Sequence, residues 1–288
     1  YATILKASGD KRGTKTIFDV TNRLSKRRTE REEDKTKLST EDNKAVQETY
    51  KDDATFDNDE DWNIPLLLTD PRLLCEEPPL QTYDRSPASN RPDSLYCYSA
   101  RPSDRPRPGG TLSFWTEDYR FSAIFDKCPD YVLTWKEEQW LNIIEPDFSI
   151  YDLDASGNTY PFPLNIYALY RSRYVLRYCQ ELGIRVIPTL RWTSDDKIFD
   201  ASILTLPKNL PWVAIQMRSN LASRPPKEIR AVEEAFEDAI NITTPQGLIV
   251  YGDINLEAWL KDILPKKTDL IILRDYATLR FEQRKKKE

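Results

Sequence analysis

The sequence contains no histidine, and this absence excludes more kinds of chemistry than any motif suggests. A Ser-His-Asp or Cys-His relay, a zinc site with histidine ligands and phosphotransfer through histidine all need an imidazole. The four cysteines are far apart and form no Cys-x-x-Cys pair, which argues against an all-cysteine metal site and a disulfide framework. Any chemistry must therefore rest on carboxylates, arginine, lysine, tyrosine or hydroxyl groups.

Long apolar runs are also missing. No stretch approaches the roughly 18 apolar residues that a membrane span requires. The chain begins at Tyr1 without methionine or the apolar run of a signal peptide, so we expect it to start inside a longer reading frame or after processing. The default expectation is a cytoplasmic protein without membrane contact.

Charge is spread unevenly along the 288 residues. Residues 1–61 hold 13 basic and 15 acidic side chains with few aliphatics, which predicts a disordered region or a solvated helix. Residues 62–110 contain seven prolines between Pro78 and Pro108, which predicts a connecting arm with one strand near Leu66. A short basic tail occupies 284–288.

Residues 111–283 show the alternation of strand and helix patterns that is typical of an α/β domain. The patterns predict strands at 119–125, 143–151, 185–190, 212–217, 248–251 and 270–273. They predict helices at 131–141, 164–182, 200–206, 226–242 and 256–264. Short connections between them indicate a mostly parallel sheet of about six strands with covering helices. A doubly wound sheet and an incomplete β/α barrel both fit this pattern.

In either arrangement, a ligand site lies beyond the carboxyl ends of the strands. The carboxylates that follow predicted strands are candidate catalytic groups, and two of them are candidate ligands for Mg2+: Asp126, Asp147 and Asp253, of which Asp126 and Asp147 are the metal candidates. Arginines in the same region suit phosphate groups, which they bind with two parallel hydrogen bonds. The pattern therefore indicates a metal-assisted phosphoester or nucleotide site, although polar residues at these positions also cap helices.

Two neighbouring segments supply the candidate ligand-binding residues. In the strand pattern after Pro146, Asp147 and Ser149 lie on one side, with Phe148 and Ile150 on the other. On the following helix, Arg171 and Arg173 lie on different faces, so at most one of them can reach the same pocket as Asp147. The full set of candidate ligand-binding residues is Ser149, Asn165, Arg171, Arg173, Thr189, Arg191 and Trp192.

A set of short motifs resembles a known family. They are Pro146-Asp-Phe-Ser-Ile-Tyr151, Tyr170-Arg-Ser-Arg173, Gln180-Glu-Leu-Gly-Ile-Arg-Val-Ile-Pro-Thr-Leu-Arg-Trp192, Leu206-Pro-Lys-Asn209 and Val250-Tyr-Gly252. Together they resemble the family called domain of unknown function 4417, whose members occur in bacteria, phages and mobile elements. The resemblance covers roughly 119–264 and implies no activity. It implies that nine positions match the family pattern: Asp147, Ser149, Asn165, Arg171, Arg173, Pro188, Thr189, Trp192 and Gly252.

The charge of the folded part helps to weigh the functions. Residues 111–283 carry 19 basic and 25 acidic side chains, a net charge of −6, which disfavours a large duplex-binding face. An acidic domain attracts cations more readily than polyanions, so the balance favours a pocket for a small ligand or a metal. The alternative is a non-catalytic module of a phage or mobile element that contacts nucleic acid or a partner through its charged N-terminal region and basic tail.

Overall fold

The computed structural model describes residues 56–76, 95–98, 110–153, 156–217, 226–252 and 256–274. The predicted disordered region is thus covered only from residue 56, and the basic tail lies outside the described residues. Of the helices that are described, none is both long and apolar enough to cross a membrane.

In the described residues, seven short strands, all paired in parallel, form two sheets. The first sheet has the order β1 (Leu95–Cys97), β2 (Thr111–Ser113), β3 (Asn142–Ile144) and β4 (Arg185–Ile187). The second has the order β5 (Trp212–Met217), β6 (Gly247–Gly252) and β7 (Asp269–Arg274). Both follow the order of the chain, so the predicted parallel α/β architecture is confirmed.

Six α-helices lie between the strands in the described residues: α1 (Ala123–Asp126), α2 (Cys128–Glu137), α3 (Phe162–Glu181), α4 (Asp196–Ile203), α5 (Pro226–Thr243) and α6 (Glu257–Ile263). The end of α3 illustrates how the sequence sets such boundaries. Gly183 adopts a φ of 76°, its amide donates to the Gln180 carbonyl, and the Ile184 amide donates to the Cys179 carbonyl. This Schellman motif ends the helix, and β4 begins two residues later.

The two sheets meet after β4. The Ala214 amide donates to the Pro188 carbonyl, and the Leu190 amide donates to the Ala214 carbonyl, both at 2.8 Å. The chain after β4 therefore runs beside β5 as a parallel bridge. Because no reversal of strand order occurs in the described residues, the doubly wound alternative is not the one observed.

The combined sheet is strongly curled. The rings of Trp115, just after β2, and Tyr251, in β6, stack with centroids 4.6 Å apart. In a flat sheet, four strand spacings would separate these residues by about 19 Å, which the two side chains could not bridge. One buried apolar cluster also contains residues from both edges of the sheet, Leu95 in β1 and Leu273 in β7. The incomplete β/α barrel is the alternative that these contacts fit.

The predicted strand at 119–125 is wrong. A 3-10 turn at Asp118–Arg120 and helix α1 occupy these residues. Phe121 and Ile124 are buried while Tyr119 is 70% exposed, so the apolar side chains recur with a helical spacing of three. Aromatic residues are also frequent in strands, and this preference caused the error.

Other predicted boundaries differ in smaller ways. The strand predicted at 143–151 ends at Ile144, shortly before Pro146, whose missing amide cannot extend the ladder. The helix predicted at 200–206 begins earlier, because the Asp195 side chain accepts the Lys197 amide as an N-cap. The short strands β1 and β2 were not predicted.

Part of the predicted connecting arm packs along α3. The Gln180 side chain accepts from the Leu68 amide at 2.8 Å and donates to the Leu68 carbonyl at 3.0 Å. Arg177 donates to the Leu66 carbonyl, and Leu67 is buried nearby in the sequence. Side chains of one helix thus satisfy the backbone of an extended segment. The structure shows no regular strand near Leu66, only an isolated antiparallel bridge between Asn58 and Pro65.

Gly247 provides a test of the packing between β5 and β6. A Cβ atom at this position would lie 2.5 Å from three ring carbons of Trp212, its cross-strand neighbour. We therefore expect Gly247→Ala to lower the free energy of unfolding by about 1–3 kcal/mol through overpacking. Urea denaturation measures this change.

The control is the same substitution in a Trp212→Leu background. There the ring is gone, so adding the methyl group should cost little, and the double-mutant cycle should show strong coupling. An equal loss in both backgrounds would contradict the proposed contact.

Candidate functional site

Glu145 lies directly after β3, at the carboxyl edge of the sheet, and its side chain is fully buried. Its Oε2 atom accepts hydrogen bonds from the Thr189 backbone amide at 2.8 Å and the Thr189 hydroxyl at 3.1 Å. Thr189 follows β4, so one carboxylate joins the ends of two neighbouring strands. The Glu145 amide also donates to the Ile187 carbonyl at 3.0 Å, which extends the pairing past β3.

Two arginines approach the other oxygen of Glu145. Arg173 Nε, from the middle of α3, and Arg191 Nη2, after β4, each lie 3.6 Å from Glu145 Oε1. The side chains of Arg173 and Arg191 are 2% and 9% exposed. Arg191 Nη1 lies 3.4 Å from Asp147 Oδ1 and donates to the Phe148 carbonyl at 2.8 Å. We call Glu145, Asp147, Arg173 and Arg191 the buried ion cluster.

The guanidinium groups of this cluster are incompletely satisfied. Arg173 Nε and Nη1, and Arg191 Nε and Nη2, have no hydrogen-bond acceptor among the described residues, and Glu145 Oε1 has no donor. The remaining Arg173 nitrogen, Nη2, makes a long contact of 3.4 Å to the Ser202 carbonyl. Charge-assisted hydrogen bonds are normally about 2.7–2.9 Å long. The ion pairs therefore compensate charge but leave directed N–H groups available to another acceptor.

Burial shifts the ionisation of two members of the cluster. Desolvation raises the pKa of Asp147 above its usual value, with the neighbouring carboxylates of Asp118 and Glu145 acting in the same direction and Arg191 opposing them. Desolvation also lowers the pKa of Arg173, against the attraction of Glu145. With Asp147 neutral, the cluster holds two cations and one anion. It then carries one uncompensated positive charge in a region of low dielectric constant.

The chain after Asp147 is held by two side chains. Asp118, on the 3-10 turn after β2, accepts from the Ser149 amide at 2.9 Å and from the Ser149 hydroxyl at 2.8 Å. The Asn165 carboxamide, in the first turn of α3, accepts from the Tyr151 amide at 3.0 Å and donates to the Tyr151 carbonyl at 2.8 Å. Ser149 and Asn165 are thus used for positioning: Ser149 lies on the segment that leads away from the buried ion cluster, and Asn165 holds that segment from α3.

Other predicted site residues lie apart from the cluster. The Arg171 guanidinium lies 4.1 Å from the centre of the Phe148 ring and 4.9 Å from that of Tyr167, so it packs on a different face from Arg173. Trp192 packs against Phe199 of α4 and Phe236 of α5.

The three predicted carboxylates are not seen together. Asp126 is exposed at the last residue of α1, and Asp253 lies outside the described residues. Only Asp147 belongs to the buried ion cluster. Within the part of the chain that is described, no group of three or more Asp, Glu or Cys side chains is placed to hold a metal ion. The metal-ligand role of Asp126 and Asp147 therefore stays a prediction.

The sequence prediction missed Glu145 and Asp118. Glu145 had a usable signal, because it directly follows the apolar run Ile143-Ile144, where a carboxylate is buried if the strand is central. Asp118 had no such signal, because it does not follow a predicted strand but directly precedes the segment that was wrongly predicted as one.

Comparisons with known proteins agree with the phage-type resemblance. A "Gene 1 protein" of Mycobacterium phage L5 is 31% identical over 146 residues, 51% of this chain and 58% of its own length. A "Gene 1 protein" of Mycobacterium phage D29 is 30% identical over 145 residues, 50% of this chain and 49% of its own length. The chain thus spans about half the length of these relatives. No solved structure matches it.

The family comparison covers most of the chain. The model of the family described as "Domain of unknown function (DUF4417)" matches residues 76–277. This range includes all seven strands and extends beyond the roughly 119–264 over which the motifs were recognised. The chain belongs to the DUF4417 family.

Proposed function

We propose that the buried ion cluster binds the anionic phosphate group of a small phosphoester or nucleotide ligand. The observation that carries this proposal is the set of four guanidinium nitrogens, on Arg173 and Arg191, that are buried without an acceptor. Buried polar groups in folded proteins are almost always hydrogen-bonded. A tetrahedral oxyanion offers several acceptors to two guanidinium groups at once.

The electrostatics of the cluster support an anionic occupant. An unpaired buried charge is unfavourable, and because the pKa of Asp147 is raised, its protonation would leave the cluster with one excess positive charge. An oxyanion would compensate that charge and accept hydrogen bonds from the guanidinium N–H groups that have no acceptor. Asp147 is the most exposed member, with 19% of its side chain accessible, and it lies beside Arg191. We therefore place the entry to the site on the Asp147 side of the cluster.

The buried ion cluster is proposed to bind a phosphate group. The metal-assisted reaction on a phosphoester, which the sequence pattern indicated, stays a separate prediction. That step needs Asp126 or Asp253 beside Asp147, and the described residues provide no such group. A ligand phosphate could bring its own Mg2+, with Asp147 as a single protein ligand. The geometry supports arginine recognition more directly than ion coordination, so the arginines define the proposed site.

The alternative is a non-catalytic module, encoded by a phage or mobile element, that contacts nucleic acid or a protein partner in the cytoplasm. Its relatives in mycobacteriophages are compatible with a phage role. The proposed contact regions, 1–61 and the tail at 284–287, lie almost wholly outside the described residues. The alternative thus rests on composition, whereas the small-ligand proposal rests on side-chain geometry.

Loss of one guanidinium tests the proposed site. We expect Arg191→Gln to weaken the binding of inorganic phosphate by about 10- to 100-fold, because it removes charge-assisted hydrogen bonds and half of the positive charge. Isothermal titration calorimetry measures the affinity, and thermal unfolding shows whether the variant remains folded.

The matched control is Arg72→Gln. Arg72 is 88% exposed and pairs only with Asp70 in the described residues, so its loss should leave phosphate affinity unchanged. Equal affinities of the two variants would contradict the proposed site. So would a crystal soaked in phosphate that shows only water at the four guanidinium nitrogens.

The Asp147 carboxylate should compete with a bound anion. Because burial raises its pKa in the folded protein, Asp147 takes up a proton as the pH falls towards that pKa, and its repulsion of an anion is then lost. Sulfate is a suitable probe because it remains a dianion. We expect its affinity to rise as the pH falls through the raised pKa of Asp147.

Asp147→Asn removes the titrating group. This variant should bind sulfate about 5- to 10-fold more tightly at about pH 8, with a weaker pH dependence. Its affinity should approach that of the native protein at low pH. Weaker sulfate binding by Asp147→Asn at every pH would show that Asp147 supports the site instead of competing for it.

A further inference from the structure

A row of side chains leads from the buried ion cluster to the surface. Asp147, Ser149 and Tyr151 alternate with Phe148 and Ile150, which are directed inwards against other apolar residues. Asp147 and Ser149 are half-buried, and Tyr151 at the end of the row is exposed, with 48% of the residue accessible. In an extended chain the three alternating residues share one face and span about 13 Å. The row therefore connects the proposed phosphate site with an exposed aromatic ring.

The backbone of this row is held firmly. Asp118 fixes Ser149 through both its amide and its hydroxyl, and Asn165 fixes both backbone groups of Tyr151. The Tyr151 ring contacts Tyr160 with centroids 5.1 Å apart at an angle of 56°. Tyr151 is thus an exposed residue whose backbone is positioned by the buried Asn165 side chain. Such a preorganised aromatic group loses little conformational freedom when a ligand packs against it.

Exposed apolar side chains are concentrated around the same row. Seven large hydrophobic side chains are exposed in the described part of the chain, and five belong to this region: Tyr119, Tyr151, Leu153, Leu164 and Tyr167. They come from the 3-10 turn, the segment after β3 and the first turns of α3. The hydrogen bonds of Asp118 and Asn165 join these three segments. An apolar surface beside a polar site is the arrangement expected for a ligand with one flat apolar part.

We infer that the ligand is a nucleoside 5′-phosphate whose base stacks on Tyr151 while its phosphate group binds Arg173 and Arg191. This inference rests on the proposed phosphate site and adds the recognition of the base. The sugar would lie beside Ser149 and Asp118, whose oxygen atoms can accept hydrogen bonds from its hydroxyl groups. Aromatic stacking accepts any base because every base has a π-face, so we expect little preference among the four bases.

The experiment compares three probes by calorimetry on the full chain: inorganic phosphate, ribose 5-phosphate and adenosine 5′-monophosphate. Stacking contributes about 1–3 kcal/mol per base, so the nucleotide should bind about tenfold or more tightly than ribose 5-phosphate. Tyr151→Ala should abolish this advantage and leave the affinity for phosphate unchanged. Tyr151→Phe keeps the ring and should retain the advantage. Leu204→Ala is the control, because Leu204 is 57% exposed in α4's C-terminal cap, outside the row.

The outcomes separate the two proposals. Equal affinities for the nucleotide and ribose 5-phosphate, with phosphate still bound, would overturn the base-stacking inference and leave the proposed phosphate site intact. A nucleotide advantage that survives in Tyr151→Ala would also overturn it. If none of the three probes binds, the proposed phosphate site is wrong and the inference is lost with it.

A fourth probe identifies the source of the nucleotide. A 5′-phosphorylated trinucleotide contains the same terminal group as the free nucleotide. If it binds as tightly as the mononucleotide, and this binding also depends on Tyr151, the site accepts the end of a strand. Weaker binding supports a free nucleotide, which the acidic balance of the domain favours.

Discussion

The burial of one carboxylate, that of Glu145, constrains the carboxyl edge of the sheet. A charge in a fully buried position is tolerated only when other groups compensate it, and removing one partner typically costs about 3–5 kcal/mol. Here the compensation comes from Thr189, Arg173 and Arg191, which lie on two different parts of the fold. The charge therefore requires the segment after β4 and the middle of α3 to stand at fixed positions beside β3. The folded arrangement of this region therefore depends on the contacts of the buried ion cluster.

The topology explains why these groups can meet. Consecutive parallel strands have right-handed connections, which place the helices on one face of the sheet. The opposite face must then bury itself, and it does so by curling, with residues from both edges in one apolar cluster. Curling brings the carboxyl ends of the strands into an arc, so that the loops after them converge. The buried ion cluster lies on this arc, at the junction of β3 and β4.

Long and regular patterns could be predicted from the sequence, and short ones could not. Helix α3 and strands β5 and β6 have clear boundaries, because Gly183 ends the helix and the β-branched runs have no helical period. The three-residue strands β1 and β2 are stabilised by their neighbours and leave too little pattern to recognise. At the site, Arg191 and Asp147 follow strands and could be found by that rule. Asp126 was placed on the rim only because 119–125 was taken as a strand, and α1 removes that reason.

The two arginines and the two carboxylates define a balance that links charge to occupancy. With Asp147 ionised, two carboxylates balance two guanidinium groups, and the buried ion cluster is neutral overall. With Asp147 protonated, the same cluster has an excess positive charge and four directed N–H groups. If the proposed site is correct, the carboxylate of Asp147 and an external oxyanion compete for one electrostatic role beside Arg191. In the proposed site, such competition would make a ligand's negative charge, rather than its size, the property that is selected first.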